Sequence, residues 1–428
     1  MKLAVLDPAH FHAALLQKTM YPKLGNVVHV YAPEGPDLDD YLRKIEAYNA
    51  RKESPTNWRI RTHTGSDYLE QFIADKAGDI AVIAGNNRRK TQYLSCAIAA
   101  GFNVLADKPM AIDRAGFQAL ANAFAAASER SVLLYDTMTE RHEITTMLEK
   151  ELAATSAVFG KLLQGTSGEP AVVKDSVHHF YKMVSGTPVK RSAWYFDVAE
   201  QGEGLVDVAT HLVDLVQWEC FPDEILDYRT DIRISSARRW PTELSPAQFE
   251  KVTQVTRYPD YLRKNAQGDG SLHVYANGEI NYVIKGVHAK VSVRWNFEAP
   301  AGAGDTHFSV MRGSRSNLVI RQGEAEGHQP VLYIEPAAST DLAAFQTALG
   351  GSLEQLQAKY PGVDATRSGR IWQVNVPDSY HVGHEAHFGQ VTELFLGYLD
   401  RGALPAWEVP NMLAKYYTTT EALAMATG

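Results

Sequence analysis

Cysteine is nearly absent: the 428-residue chain has two, Cys96 and Cys220. They are too few and too plain in setting for a disulfide framework or a thiolate metal knuckle, so both are expected to be buried thiols. No apolar run approaches the roughly 18 residues a membrane-spanning helix requires, and no membrane partner is expected. Basic charge is also short, with 42 Lys and Arg against 50 Asp and Glu and a formal net charge of −8. That balance argues against a nucleic-acid surface and favours a small-molecule substrate. The opening stretch Lys2 to Leu6 is strand-like and lacks the features of a secretory signal, so a cytoplasmic location is the expectation. There is no Gly-x-Ser-x-Gly elbow, no Walker loop and no protease-like Cys/His pair. Hydrolysis by a serine or cysteine nucleophile, and phosphoryl transfer, are therefore poorly supported.

What is present is an ordinary globular composition, 45% apolar and 21% charged, in a chain long enough for two cores. Through the first third, short apolar runs (Leu3 to Leu6, Val27 to Tyr31, Ile80 to Ala84, Asn103 to Ala106, Val132 to Tyr135) alternate with helical patterns such as Phe11 to Met20, Leu38 to Tyr48 and Arg114 to Ser128. Continuous apolar strands between helices predict a doubly wound parallel sheet buried on both faces, an α/β domain over residues 1–138. From 139 to 428 the texture changes to period-two strands, with Asn277-Gly278 read as a hairpin turn between Leu272 to Ala276 and Ile280 to Lys285. This predicts an α+β domain built on an open, mostly antiparallel sheet. Glu34 to Trp58, Ser236 to Gly270 and Ala337 to Arg370 read as additions that carry helices or serve as lids. His384 to Leu399 and Met412 to Met425 read as amphipathic helices.

Two segments carry the chemistry. The first is Asp107-Lys108-Pro109, just past an apolar strand; the second is Gly202-Glu203-Gly204-Leu205-Val206-Asp207-Val208-Ala209-Thr210-His211. Asp207 and His211, four apart on a segment read as helical after Gly204, should share one face, with Val208, Leu212 and Leu215 on the opposite one. Lys108 should stand at the carboxyl edge of the parallel sheet, where open sheets bind ligands. A lysine to polarise an oxygen, a histidine to accept its proton and an aspartate to orient that base are what dehydrogenation of a secondary alcohol requires.

In these two segments the chain resembles the glucose-fructose oxidoreductase, inositol dehydrogenase and rhizopine-catabolism family, which has Glu-Lys-Pro followed by Gly-Gly-x-x-x-Asp-x-x-x-His. Asp107 stands for Glu and Glu203 for one Gly; Val82 to Asn87 falls where the family has a strand ending in Thr-Pro-Asn. The resemblance implies a Rossmann-type first domain, NAD as cofactor with NADP possible, and a homo-oligomer, dimer or tetramer. It assigns catalysis to Lys108, Asp207 and His211, with Asp207 as orienter. It also places Asn86, Asn87, Asp107, Lys108 and Pro109 against the cofactor. The departure is in the loop after the first strand, where Gly-x-Gly-x-x-Gly becomes Asp7-Pro8-Ala9-His10-Phe11-His12. Asp7, Ala9, His10, Phe11 and His12 are then the phosphate-loop candidates, and Glu34 is the carboxylate nearest the expected ribose position. Asp7 would set a negative charge beside a diphosphate, while His10 or His12 could donate to it.

For a polar substrate the candidates are Asp136, Arg141, His178, His179, Tyr181 and Trp194 together with Asp207 and His211. Fifteen histidines raise the question of a metal, but His384-Glu385-Ala386-His387 has the wrong spacing for a zinc helix and no metal site is expected. The leading expectation is an NAD(P)-dependent dehydrogenase or reductase acting on a CH-OH group of a sugar, polyol or carbohydrate derivative. Two others stand beside it: an enzyme that cleaves glycosides through transient oxidation with retained NAD, and a non-enzymatic sugar-binding protein.

Overall fold

The structure, a computed structural model, describes residues 1–184, 187–300 and 303–428. Six strands, β1 (Leu3–Leu6), β2 (Val27–Ala32), β3 (Arg59–Thr64), β4 (Ile80–Ile83), β5 (Asn103–Ala106) and β6 (Leu134–Asp136), form one sheet in the order β3-β2-β1-β4-β5-β6. All five pairings are parallel. β1 and β4 are buried at every position, as their unbroken apolar sequences require of strands covered on both faces. The helices around this sheet are α1 (His12–Leu15), α2 (Pro36–Ala50), α3 (Tyr68–Asp75), α4 (Asn87–Ala99) and α5 (Arg114–Glu129). The helix expected over Phe11 to Met20 shrinks to the single turn of α1.

A short helical turn at Thr139–His142 leads into α6 (Ile144–Ala153) and then into the second sheet. That sheet begins with β7 (Val172–Tyr181), followed by a two-stranded ribbon of β8 (Met183–Val184) and β9 (Thr187–Pro188), by α7 (Val198–Gln201) and by α8 (Ala209–Cys220). Next come β10 (Ile232–Leu244), α9 (Pro246–Thr253), β11 (Leu272–Ile284), β12 (Val287–Glu298), β13 (Thr306–Arg312), β14 (Ser316–Gln322) and β15 (Val331–Pro336). After these follow α10 (Leu342–Gln357), β16 (Asp364–Ser368), β17 (Ile371–Asn375), α11 (His384–Arg401) and α12 (Glu408–Thr427). Nine strands join in the order β10-β11-β12-β7-β13-β14-β15-β17-β16, and every pairing is antiparallel except that of β12 with β7.

One turn was misread from the sequence. Asn277 and Gly278 lie in the middle of the unbroken strand β11, and the hairpin turns instead at Lys285-Gly286, with φ of 47° and 83°. Asn277 is buried and occupied on all sides: its amide donates to the Trp240 carbonyl at 3.1 Å and the Thr242 hydroxyl at 2.9 Å, and its oxygen accepts from the Trp295 amide at 2.7 Å. A Cβ on Gly278 would come within 2.4 Å of the Leu205 side chain. The Asn-Gly pair therefore serves packing and a register shift with β10 between Trp240 and Thr242.

Two apolar cores result, one around each sheet. The first includes Phe388, Val391, Phe395 and Leu396 from α11 and Met412 and Tyr416 from α12, so the end of the chain returns to pack on the parallel sheet. No helix among the described residues is long and apolar enough to cross a membrane.

Candidate functional site

The carboxyl edge of the parallel sheet, at the β1/β4 switch in strand order, opens on a cavity of about 2160 Å³. A single small ligand needs about 300–1,000 Å³, so there is room for two. His10, Phe11, His12, Asn87, Asp107, Lys108, His178, Trp194, Asp207 and His211 all line it. The walls come from the β1 loop, α2, β7, the turn before α8 and the start of α11, so residues from both domains meet there.

Local sequence explains the placement of the reactive set. Residues 204–208 are a turn rather than the first turn of a helix, and α8 begins at Ala209. Gly204 presses against β11 so closely that a Cβ would lie 1.9 Å from the Ala276 carbonyl; only glycine fits. Glu203, in the second glycine position, turns away and pairs with Arg239 at 2.5 Å. Asp207 is thus set on the turn and reaches Lys108 Nζ at 2.6 Å, with 7% and 10% of the two side chains exposed. Burial would raise the Asp207 carboxyl, but Lys108 overrules it and holds it below its usual range. Asp207 is therefore tied to Lys108, and no hydrogen bond joins it to His211. His211 lines the cavity half-buried, and burial of its ring together with the Lys108 charge pushes the imidazole down to about 3. The sequence suggested a neighbouring carboxylate favouring the protonated ring; the nearby cation has the opposite effect.

Below Lys108 lies a rigid floor. Lys90, fully buried on α4, donates to the Asn87 side chain at 2.6 Å and to the Asp107 carbonyl at 2.8 Å, and burial lowers its ammonium to about 8 against the pull of Asp107. Asn87 also donates to the Gln201 carbonyl at 2.7 Å, which joins α4 to the segment before Asp207. Asn86 does not face the cavity; it caps α4 by accepting from the Arg88 amide at 2.9 Å. The floor lysine was missed in the sequence, although its spacing of three from Asn87 on a helix was a visible signal.

The loop after β1 resolves one difficulty. The Asp7 carboxylate is turned inward and accepts from the Tyr93 hydroxyl at 2.9 Å. Burial raises its pKa, and it does not line the cavity, so it sets no charge beside a diphosphate. The amides of Ala9 and His10 are spent on the Asp7 and Ala84 carbonyls at 2.8 and 3.0 Å. Both oxygens of the Asp107 carboxylate lie 3.0 Å from His12 Nδ1, and one lies 3.3 Å from His10 Nδ1. Burial, opposed by Asp107, pushes the His12 imidazole down to about 3. Burial would raise Asp107, but His12, His10 and Lys90 hold it well below the usual carboxylate range. These three side chains form a group of metal-binding type that the sequence did not foresee.

Several expected residues lie elsewhere. Glu34 is exposed, accepts from the Thr64 hydroxyl at 3.1 Å and does not line the cavity; neither do Ala9 and Pro109. Asp136 and Arg141 belong to a buried ionic network. Arg141 forks onto Asp214 with two contacts of 2.7 Å and reaches Glu408 at 3.0 Å, while Lys415 holds Asp136 at 2.7 Å and Asp214 at 2.9 Å. They fasten α12 to the first sheet and to α8 and are not in the cavity wall. His178 and His179 converge on Asp305 at 3.3 and 3.0 Å, but only His178 lines the cavity. Tyr181 stacks on Phe297 outside it. Trp194 lines the cavity with its indole N–H on Asp37 at 3.0 Å. Tyr195, Glu140 and His384 also line it; Glu140 pairs with His384 at 3.2 Å, and burial, added to by Asp207, raises the Tyr195 phenol.

A doubly wound parallel-sheet domain joined to an open sheet, with a lysine, aspartate and histidine where they meet, defines the class of two-domain oxidoreductases. Residues 148–427 match the family described as "Putative oxidoreductase C terminal domain". A crystal structure of a "putative oxidoreductase" from Parabacteroides merdae ATCC 43184 is 55% identical, with the match covering 100% of this chain and 97% of that one at a TM-score of 0.97. A "putative oxidoreductase" from Thermotoga maritima is 13% identical over 100% and 98% of the two chains at a TM-score of 0.63. Levoglucosan dehydrogenase, solved with NADH and levoglucosan, is 13% identical over 100% and 97% at 0.62; these two share the fold. No curated protein matches the sequence. The chain belongs to the glucose-fructose oxidoreductase, inositol dehydrogenase and rhizopine-catabolism family of oxidoreductases.

Proposed function

We propose that the protein is an NAD(P)-dependent oxidoreductase acting on a secondary alcohol of a sugar, polyol or carbohydrate derivative. The observation that carries this reading is the buried Lys108–Asp207 pair at 2.6 Å beside His211, at the carboxyl edge of a parallel sheet and in a cavity large enough for two ligands. A nicotinamide dinucleotide bound along that edge would accept or supply the hydride. The residues present fit it: Asp7 is withdrawn, and His10, Phe11, His12, Asn87 and Lys108 line the path. The fold relative solved with NADH and levoglucosan supports the same chemistry.

In this reading Lys108 donates a hydrogen bond to the reacting oxygen, stabilising the alkoxide that develops as the proton leaves. His211, kept unprotonated by burial and by Lys108, accepts that proton. Asp207 holds the ammonium in place and balances its charge. His178 and Trp194, with partners that fix their rings, offer hydrogen bonds and an apolar face to the rest of the sugar. The bases along α2 leave the choice between NAD and NADP to side chains already engaged: Arg43 pairs with Asp40 at 3.3 Å, and Lys44 bonds the same residue.

The test is incubation with NAD or NADP and a panel of sugars and polyols, following reduced nicotinamide by absorbance. Reduction stoichiometric with a keto product, lost in Lys108→Met and His211→Gln, supports the reading. Glycoside cleavage without net reduced cofactor would replace it with the cofactor-retaining mechanism.

A further inference from the structure

Where the resembling family carries its phosphate-loop glycines, this chain has Asp7-Pro8-Ala9-His10-Phe11-His12. It puts two imidazoles, two residues apart on one tight turn, against a carboxylate from the end of β5, 95 residues away in sequence. One potential ligand atom from each of His10, His12 and Asp107 lies within 4.8 Å of the others, and the closest approaches are 3.0 and 3.3 Å. Ligands bound about 2.0–2.2 Å from a tetrahedral zinc ion are about 3.3 Å apart, so the observed spacing suits cis ligands on one ion. His10 Nδ1 is buried and makes no hydrogen bond, although a carboxylate oxygen lies 3.3 Å away. A cation shared by that nitrogen and the carboxylate would satisfy both.

The surroundings suit ligation too. The His12 ring is packed edge-on against His10 at 4.1 Å and at a tilt against Phe388 at 4.6 Å. The Asp107 backbone is fixed by Lys90, the kind of outer support that orients metal ligands. All three side chains line the cavity.

We propose that His10, His12 and Asp107 bind one divalent transition-metal ion, with its remaining coordination positions open to an oxygen ligand in the cavity next to Lys108. Two imidazoles and one carboxylate select zinc, cobalt or iron(II) over magnesium or calcium, which prefer oxygen shells. An ion there would add positive charge to a loop whose Ala9 and His10 amides are engaged by the Asp7 and Ala84 carbonyls. The site needs neither dinucleotide nor sugar, so it stands or falls separately from the proposed dehydrogenase activity.

The experiment uses the full-length protein, treated with a chelator, dialysed and titrated with Co(II) under visible spectroscopy, then with Zn(II) by calorimetry. The expected result is one Co(II) per chain with d–d absorption, displaced by one equivalent of Zn(II). His10→Gln and Asp107→Asn should weaken binding by at least about 100-fold, beyond what loss of an outer-shell partner causes, while His273→Gln, at a histidine on the far strand β11, should not. Circular dichroism and thermal melts identify any variant that fails to fold, and the variant that does fold carries the test. Absence of stoichiometric Co(II) and Zn(II) binding by the unmodified protein, or equal binding by folded His10→Gln and Asp107→Asn, overturns the proposal. NAD titration with and without Zn(II) separates the two readings: a protein that binds zinc but no dinucleotide under either condition sinks the dehydrogenase assignment alone, and one that binds dinucleotide but no zinc sinks the metal site alone.

Discussion

Replacing Lys108 by Met and Asp207 by Asn, singly and together, tests whether the 2.6 Å contact is an energetic unit as well as a functional one. With only 10% and 7% of the two side chains exposed, solvent cannot compensate whichever charge is left alone. Stranding one partner of a buried pair costs about 3–5 kcal/mol. Lys108→Met strands the Asp207 carboxylate and Asp207→Asn strands the ammonium, so each should lower the unfolding free energy by about that range. The double variant removes both charges and should lose less than the sum, leaving a coupling of about 2–3 kcal/mol. Urea denaturation followed by tryptophan fluorescence and by circular dichroism supplies the stabilities; steady-state kinetics on an active sugar supplies the other axis. Lys108→Met and the double variant should each lose about a thousandfold in kcat/KM, roughly 4 kcal/mol of barrier, because restoring stability does not restore the donor to the reacting oxygen; Asp207→Asn, which keeps the donor without its anchor, should lose less. A coupling below about 0.5 kcal/mol, within the range of independent sites, would refute the pairing. A fully active Lys108→Met would refute the role of the lysine.

Other perturbations read other parts of the account. His211 sits at about 3, so it is unprotonated throughout the neutral range; the acid limb of kcat/KM should lack a histidine step near pH 6.5, and His211→Gln should reduce kcat by about 10²–10⁴ with KM little changed. Glu143, which caps α6 by accepting from the Thr145 and Thr146 amides at 2.8 and 3.1 Å, is raised by burial to about 6. The folded state therefore binds its proton more tightly than the unfolded state. Its share of stability is present below pH 4.5 and is lost as pH rises through 6, and a Glu143→Gln variant should flatten that part of the stability profile by about 2 kcal/mol. Arg141→Met leaves Asp214 and Glu408 without their fork and should cost about 3–5 kcal/mol in denaturation. In the fraction that folds, KM should stay near the parent value; a large rise would return Arg141 to the substrate site.

What could be read from the sequence depended on whether the signal was local. β1, β4 and β5 were visible because strands covered on both faces need unbroken apolar runs, and Lys108 was placed because it directly follows one. The long helices α5 and α11 announced themselves by period. Local rules failed where a distant segment decided the outcome. Asn277-Gly278 has the composition of a turn, but the Leu205 side chain, the Trp240 carbonyl and the Thr242 hydroxyl give it partners within a continuous strand. Asp136 and Arg141 have the right place in the chain for a cleft, yet α12 returns to bury them, and Glu408 lies 267 residues from Arg141. The helix expected after β1 is only the single turn His12–Leu15, entered from a loop tied to the Asp7 carbonyl and to the Ala84 carbonyl after β4. The convergence of His10, His12 and Asp107 is of the same kind: each residue is unremarkable in its own stretch, and only the β1–β4–β5 order brings them together.

The most direct test of the proposed activity is made before any substrate is known. The purified protein is denatured, its released small molecules are identified by mass spectrometry, and NAD and NADP are titrated into the native protein by calorimetry. The account predicts a released dinucleotide or saturable binding of one equivalent of NAD or NADP per chain, abolished or weakened when Lys108 or Asn87 is replaced. No released dinucleotide and no binding of either cofactor, with or without added zinc, would contradict it and leave a protein that uses this cavity for a sugar alone.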